Sequence, residues 1–139
     1  MCIIPSTSFT EILGDMTTIE IADSTAPKAE ATAAFHKLSH RWTLWAHLPH
    51  DTNWSASSYK KIFEFETAEE AIAIIEVLPH KLVMNCMLFL MRSGIVPMWE
   101  DPQNRNGGCF SYKVVNKEVN SAWKQLSYVT VGETISTNM

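Results

Sequence analysis

The sequence has few cysteines, no excess of basic residues and no long apolar run. Cys2, Cys86 and Cys109 are its only cysteines, and they share no short spacing. An odd number of dispersed cysteines indicates neither a disulfide framework nor a cysteine zinc site, which favours a reducing compartment. The longest apolar stretch is interrupted by Asn85 and Arg92 and is too short to cross a bilayer. These absences predict a cytoplasmic protein, and an additional nuclear location is left open.

The charge balance argues against a broad basic face of the kind that binds nucleic acid through its backbone. The chain carries 11 Lys and Arg against 15 Asp and Glu, a formal net charge of -4. Phosphate neutralisation along a nucleic acid needs clustered basic residues. Any contact with a nucleotide is therefore expected to be local.

Length and composition fit one folded domain behind a short leader. The chain has 139 residues and is 46% hydrophobic, enough to bury a single core of ordinary size. Residues 1–35 are rich in Thr, Ser and Ala and show no sustained apolar period, so they are predicted to be a flexible N-terminal leader. Residues 36–139 are predicted to form the domain.

Hydrophobic periodicity predicts two strands and a helix in the first half of this domain. Trp42, Leu44 and Ala46 alternate with other residues from position 39 onward, as is typical of a half-buried strand, and residues 59–66 predict a second strand. The spacing of Thr67 and Glu70 is that of a capping box, which predicts a helix start. The apolar face of that helix would consist of Ala71, Ile74, Ile75 and Leu78, with Ile72 at its edge or exposed.

The second half of the domain is also predicted to contain two strands followed by a helix. Residues 86–91 are a short continuous apolar run, which predicts a buried strand. Phe110, Tyr112 and Val114 alternate with their neighbours and predict a fourth strand. The last helix would end at Gly132 and carry an apolar face formed by Val119, Ala122, Trp123 and Leu126. The sequence therefore predicts an α+β sheet with helices on one face.

Two tryptophans stand in predicted loops, where an indole exposes a large apolar surface to water. Trp54 lies in the polar residues 50–58, and Trp99 lies in residues 94–102. Either Trp taken alone is more often structural, but together they suggest a binding site. A cationic purine held between two indoles gains cation–π attraction on both faces, about 2 kcal/mol or more when water is excluded.

Glu100, next to Trp99, could read the edge of such a base. Its carboxylate can accept hydrogen bonds from guanine N1–H and from the exocyclic amine, a pair of donors that adenine lacks. A bidentate contact of this kind discriminates between bases by roughly 1–3 kcal/mol. Asp101 is predicted to hold the loop instead, because Asp before Pro commonly starts a turn.

Motifs spread along the domain resemble the family of cap-binding translation initiation factor 4E. They keep the family's order and similar spacing, and they comprise residues 40–45, Trp54, residues 94–101, residues 106–108, Trp123 and residues 132–133. The Pro-Met-Trp-Glu-Asp run at residues 97–101 is highly specific. The resemblance implies a curved antiparallel sheet with helices packed on its convex face, an α+β fold.

The resemblance also implies that the concave face binds the 7-methylguanosine cap of messenger RNA. It assigns Trp54 and Trp99 to stacking on the base and Glu100 to accepting hydrogen bonds from the guanine edge. The backbone amide of Trp99 would meet guanine O6. Capped messenger RNA is the implied partner, together with a translation initiation scaffold protein or a 4E-binding repressor.

The phosphate-binding half of the family's site is incomplete in this sequence. Cys109 stands where the family usually has an Arg after the two glycines. The family's other basic ligands lie on strands beyond the second long helix, and the sequence stops at Met139 before them, so these C-terminal strands are expected to be missing. Arg105 and Lys113 are candidate replacements, against the alternative that each is a solvated surface charge.

The helix that starts near Thr67 corresponds to the family's dorsal helix, where a Trp receives scaffold and repressor proteins. Ile72 stands at that position, and His36 and Glu69 belong to the same predicted surface. The aromatic anchor is absent, and such anchors contribute much of the energy of an interface. The alternative is that Ile72 is an ordinary residue at the rim of the core.

Neither a metal site nor a catalytic set is readable in the sequence. His36 and His40, and likewise His47 and Asp51, are four residues apart, but neither pair is predicted to share a helical face. No cofactor is indicated, and the protein is not expected to be an enzyme.

The leading hypothesis is a cap-binding translation initiation factor. The alternative is a cap-incompetent relative that regulates translation through protein partners, motivated by Cys109 and the missing basic strands. A remote third hypothesis, an unrelated enzyme, has only the run Gly107-Gly108-Cys109 behind it.

Overall fold

The computed structural model of the protein describes residues 34–136. All but the last two residues of the predicted leader, residues 1–35, lie outside the described residues, and the proposed domain boundary stays a prediction. The strands are β1 (Lys37–His47), β2 (Tyr59–Thr67) and β3 (Met87–Arg92). The helices are α1 (Ala68–Val77), α2 (His80–Asn85), the short α3 (Pro102–Arg105) and α4 (Val119–Val131).

The three strands form one antiparallel sheet in the order β2-β1-β3. Trp42 of the central strand lies opposite Phe65 of β2 and Arg92 of β3. The β1–β2 pairing shifts between Leu44 and Trp45, and beyond this shift His47 lies opposite Tyr59 of β2. The β1–β2 pairing therefore keeps core residues at one end of the ladder and places His47 and Tyr59 together at the other.

The hydrophobic core lies between one face of this sheet and the helices. Side chains at alternate positions of β1 and β2 meet the apolar face of α1, while α2 and the end of α4 close the sides. The buried cluster consists of Trp42, Leu44, Phe65, Ala71, Ile74, Ile75, Leu78, Leu82, Cys86 and Val131. The prediction of an α+β fold with a curved antiparallel sheet is confirmed.

The start of α1 confirms the capping box. Glu70 donates its backbone amide to Thr67 Oγ1 over 3.3 Å, and Thr67 donates its own amide to Glu70 Oε2 over 3.2 Å. The two residues thus satisfy each other's unpaired amides at the first turn. Ile72 is 51% exposed, as its position on the helical repeat predicts.

The second half of strand β1, from Trp42 to His47, is buried on both faces, which differs from the half-buried strand that its alternation predicts. Thr43 and His47 point away from the helices, yet both are buried. Thr43 Oγ1 shares a hydrogen bond of 2.9 Å with Ser93 Oγ beyond β3, and His47 lies under the ring of Trp54. Loop residues therefore cover part of the second face of the sheet.

The predicted fourth strand is wrong. Within the described residues, the segment 109–115 joins no strand ladder, and the side chain of Phe110 is 93% exposed. Alternation of apolar residues gives a segment two faces, but a strand also needs a neighbouring backbone with which to pair. The predicted apolar face of α4 is also partly wrong, because Leu126 is exposed while Ser127 and Val131 are buried.

Candidate functional site

Trp54 lies in the loop between β1 and β2, and local hydrogen bonds fix the shape of that loop. Asn53 donates its amide to Asp51 Oδ1 over 2.9 Å, and Ser55 donates its amide to Asn53 Oδ1 over 3.0 Å. Short polar side chains that bond to the backbone two residues on are typical of tight turns. They hold the backbone on both sides of Trp54.

The indole of Trp54 rests on rings from the sheet. Its ring and that of His47 are nearly parallel, with centroids 3.9 Å apart and an angle of 5° between the planes. Tyr59 meets Trp54 edge-on, with centroids 6.4 Å apart, and meets Phe89 of β3 in the same way. Trp54 nevertheless remains 52% exposed. One face of the indole is therefore covered, and the other is open.

Trp99 lies in a second loop, which Asp101 and Asn104 tie together. Asp101 accepts backbone hydrogen bonds of 2.9 Å from Val96 and from Gln103, and these bonds lower the pKa of its carboxyl. Asn104 Nδ2 donates to the carbonyl oxygens of Val96 and Met98, each over 2.8 Å. The prediction that Asp101 holds the loop is confirmed, and Trp99 is left 66% exposed.

Glu100 is an exposed carboxylate on the same loop as Trp99. Burial raises the pKa of the Tyr59 hydroxyl, and the negative charge of Glu100 raises it further. The charge of Glu100 thus acts on the phenol of Tyr59. Since Tyr59 also contacts Trp54, the phenol connects the two predicted parts of the site.

The candidate phosphate ligands differ in how they relate to this site. Arg105 Nη2 donates to the backbone carbonyl of Glu100 over 3.3 Å, which anchors its guanidinium beside the predicted base reader. Lys113 is exposed on the extended segment that follows Cys109, and Cys109 is exposed as well. Arg105 is therefore attached to the loop of Trp99, whereas Lys113 lies on a separate exposed segment.

The predicted partner surface has a definite geometry at the start of α1. His36 Nδ1 donates to Glu69 Oε1 over 2.6 Å, and the His36 amide contacts both carboxylate oxygens. These contacts lower the pKa of Glu69, chiefly through the His36 ring. Exposed Ile72 lies one turn further along the same helix.

A polar link joins α1 to α4 beside this surface. Glu76 accepts hydrogen bonds of 2.6 Å from both Lys124 Nζ and the Tyr128 hydroxyl. Burial and the bonded carboxylate raise the pKa of Tyr128 to about 12. The face that α1 and α4 share is therefore partly polar.

Two residues that shape the site, His47 and Tyr59, were not among the sequence-predicted site residues. The alternation of β1 places Thr43, Trp45 and His47 on the face opposite Trp42, a signal that could have pointed to His47. Tyr59 has no such signal, because its face depends on the pairing of β2.

Two features are absent from the described part of the chain. Between residues 34 and 136, no group of three or more His, Cys, Asp or Glu side chains could hold a metal ion. None of the helices in that range has the length and apolar character needed to span a membrane.

The amino-acid sequence is similar to a known family and its members. The family described as Eukaryotic initiation factor 4E matches residues 37–139. The Zea mays protein "Eukaryotic translation initiation factor isoform 4E-2" is 32% identical over 123 residues, which cover 84% of this chain and 57% of that protein. The Schizosaccharomyces pombe "Eukaryotic translation initiation factor 4E-2" is 36% identical over 110 residues, covering 72% of this chain and 43% of that protein.

The fold is similar to that of a solved structure from the same group of proteins. This structure is a complex of C. elegans eIF4E-3 with the 4E-binding protein Mextli and a cap analog. The TM-score is 0.65 at 29% identity, and the alignment covers 75% of this chain and 61% of that chain. The chain thus spans less than two thirds of the length of these relatives.

Proposed function

The chain belongs to the eukaryotic initiation factor 4E family, as its motifs predict, and on this premise we propose that it binds the 7-methylguanosine cap of messenger RNA. It acts in the cytoplasm as a translation initiation factor. Its role is binding and not catalysis. Its partners are capped messenger RNA and a scaffold or 4E-binding protein.

The observation that carries the proposal is the exposure of two indoles on loops held by hydrogen bonds. Trp54 is covered on one face by His47 and open on the other, and Trp99 is still more exposed. Bulky apolar rings on well-fixed polar loops are suited to stacking on a flat ligand. We assign Trp54 and Trp99 to the two faces of the methylated base.

Glu100 recognises the edge of the base through hydrogen bonds. Its carboxylate is exposed beside Trp99, so both oxygens can accept from guanine N1–H and N2–H. A cationic base also favours a nearby carboxylate. The combination selects a methylated guanine over an adenine and over an unmethylated guanine.

The phosphates of the cap are assigned to Arg105 and, more peripherally, to Lys113. Arg105 is held by its bond to the carbonyl of Glu100, which leaves further guanidinium donors for an anion. Replacing Arg105 with Gln is expected to weaken binding of 7-methyl-GTP while leaving binding of the 7-methylguanosine nucleoside unchanged. A loss of the same size for both ligands would show that Arg105 acts through the loop and not through the phosphates.

The central test is a titration of intrinsic Trp fluorescence with 7-methyl-GTP and with GTP. The methylated nucleotide is expected to bind at least about tenfold more tightly, which corresponds to ~1.4 kcal/mol of cation–π attraction. Trp99→Ala should remove this preference, and Glu100→Gln should weaken binding of both nucleotides, since both present the guanine edge. Glu118→Gln, which changes an exposed acid outside the site, is the matched control. Equal affinity for the two nucleotides would sink the proposal.

A second candidate function is regulation of translation through protein partners without cap binding. The observation that favours it is the surface formed by His36, Glu69 and Ile72, where an exposed aliphatic side chain lies next to the hydrogen-bonded pair His36 and Glu69. Ile72→Asp should abolish binding of a helical 4E-binding peptide and leave 7-methyl-GTP affinity unchanged. If the wild-type chain binds the peptide and shows no methyl preference, this second function replaces the first.

A further inference from the structure

His47 lies directly under Trp54 and makes none of the proposed contacts with the cap. The two rings overlap at 3.9 Å in nearly parallel planes. His47 is 1% exposed, so its side chain is enclosed by its neighbours. The buried ring is therefore the floor on which the indole rests.

The hydrogen bonds of His47 depend on its protonation state. Nε2 lies 2.9 Å from the carbonyl oxygen of Asn53, and Nδ1 lies 3.1 Å from that of Leu48. A neutral imidazole has one N–H and can donate to one of these oxygens, whereas the protonated ring donates to both. The neutral form with the proton on Nε2 keeps the shorter bond, which fixes the residue before Trp54.

We propose that His47 positions Trp54 and that protonation of His47 weakens the binding of a cationic base to this indole. The inference rests on the proposed function, since it concerns the same stacking site. Neutral His47 supports the indole without adding charge. Protonated His47 places a cation on one face of Trp54 while the methylated base places another on the opposite face.

The two cations would lie close enough to interact. The ring spacing of 3.9 Å and a further stacking distance of ~3.5 Å separate His47 from the base by about 7 Å. Like charges at this distance repel, and both draw on the electrons of one indole. Protonation therefore lowers affinity for the methylated base more than affinity for a neutral base.

The effect of His47 protonation also depends on the titratable groups that surround its ring. Tyr59 faces it from β2 with ring centroids 5.3 Å apart, and its phenol, whose pKa is raised above the ordinary value, carries no charge at physiological pH. Met87 lies opposite on β3 and carries no charge. Asp51, in the covering loop, and Glu100, which acts on Tyr59, are the nearby acids. His50 is the neighbouring histidine on the same loop.

The first test compares 7-methyl-GTP affinity in wild type and His47→Phe between about pH 5 and pH 8, the range in which histidine changes charge. Phe keeps a flat ring under Trp54 but cannot be protonated. Because Phe cannot bond to the Asn53 carbonyl, we expect the variant to differ from wild type by a fixed factor at the alkaline end. Toward the acid end, wild-type affinity should fall about three- to tenfold further than that of the variant. Titration of the nucleotide is common to both proteins and cancels in the ratio.

The matched control is His50→Gln, which removes an exposed histidine near the same loop and should follow the wild-type profile. Parallel profiles for wild type and His47→Phe would overturn the inference and leave the proposed function standing. A lack of methyl preference at every pH, in both proteins, would instead overturn the proposed function.

A second test needs no nucleotide and does not depend on how well His47→Phe folds. In an NMR spectrum of the free wild-type protein, the ring protons of His47 should be shifted strongly upfield by the Trp54 ring current. Trp54→Ala, a change at an exposed position, should remove this shift. If the His47 signals are the same in both proteins, His47 does not support Trp54 and the inference fails.

Discussion

Single residues hold the two tryptophan loops in shape, and Asp101 does so most directly. One oxygen of its carboxylate accepts from the Val96 amide and the other from the Gln103 amide. The second bond also caps the short helix α3, which begins at Pro102. The loop that presents Trp99 and Glu100 is therefore closed by one side chain.

Asp101→Ala is expected to weaken 7-methyl-GTP binding and to lower the free energy of unfolding by about 1 kcal/mol, since a cap and a loop bond are lost. Asp101→Asn, which keeps an oxygen, should show a smaller effect. The measurements are urea unfolding and fluorescence titration. An alanine variant with wild-type affinity would mean that Asn104 alone holds the loop.

The contribution of Asp101 to the free energy of unfolding depends on pH, because the pKa of its carboxyl is lowered in the folded protein. The folded-state pKa is lowered by the two amide donors, so the stabilisation is present above the ordinary Asp value and is lost as pH falls through the folded value. The difference in unfolding free energy between wild type and Asp101→Ala should shrink in acid. A difference that stays constant down to the acid transition would contradict this assignment.

At the scale of elements, helices are fixed by polar contacts at positions that hydrophobic periodicity does not mark. The capping box sets where α1 begins, and the Glu76 link sets how α1 lies against α4. The side chain of Glu133, just after α4, contacts His40 of β1 and Arg92 of β3. Each contact ties a helix end or flank to a neighbouring element.

Thr67→Ala removes the hydroxyl that accepts from the Glu70 amide, so α1 loses its cap. The free energy of unfolding should fall by about 1 kcal/mol. Ser121→Ala, at an exposed position of α4, is the control and should change it by less than about 0.5 kcal/mol. Equal effects of the two substitutions in thermal or urea unfolding would show that the capping box contributes nothing.

Tyr128→Phe removes the hydroxyl that donates to Glu76 and should cost about 1 kcal/mol of unfolding free energy at neutral pH. The pKa of Tyr128 is raised from 10.0 to about 12, so this stabilisation is present below pH 10 and is lost as pH rises toward 12. Unfolding measured across this window should show the two proteins converging. A difference that grows with pH would contradict the assigned bond.

At the scale of the whole molecule, one sheet face and the helices pack around one core within residues 34–136, while the segment 109–115 lies outside it. Phe65 and Phe110 show the contrast, because one is 2% and the other 93% exposed. Both belong to alternating apolar patterns in the sequence. Only the first has a partner strand and a helix to cover it.

Phe65→Ala is expected to lower the free energy of unfolding by about 3–5 kcal/mol, because it leaves a cavity in the core. Phe110→Ala should change it by less than about 0.5 kcal/mol, since no packing is lost at an exposed position. Urea unfolding of this matched pair checks the location of the core. A large loss in Phe110→Ala would show that residues 109–115 pack as the predicted fourth strand.

The sequence predicted the elements that depend on neighbouring residues along the chain. The strands β1 to β3, the helices α1 and α4 and the loop positions of Trp54 and Trp99 follow from periodicity, turn residues and motif order. The short helix α2 does not follow from the sequence pattern. The predicted apolar face of α4 includes Leu126, whereas the observed buried face includes Ser127 and Val131. These errors arise because the burial of a helix face depends on what packs against it.

The pairing of β2 with β1 contains a shift that the alternation of apolar residues does not predict. Leu44 pairs with Phe63, but the next residue, Trp45, pairs with Lys61, so Ile62 is an extra residue in the ladder. Such a bulge reverses which side chains share a face. Tyr59 would otherwise lie on the same face as Phe63, and instead it lies with His47.

The sequence by itself determined the family, the α+β class and the residues proposed to read the base, because motif order and local periodicity are properties of the chain. The tertiary structure alone decided that His47 and Tyr59 lie under and beside Trp54, that Glu100 acts on Tyr59 and that Phe110 is exposed. These outcomes depend on strand register and on contacts between distant segments, which local sequence does not encode.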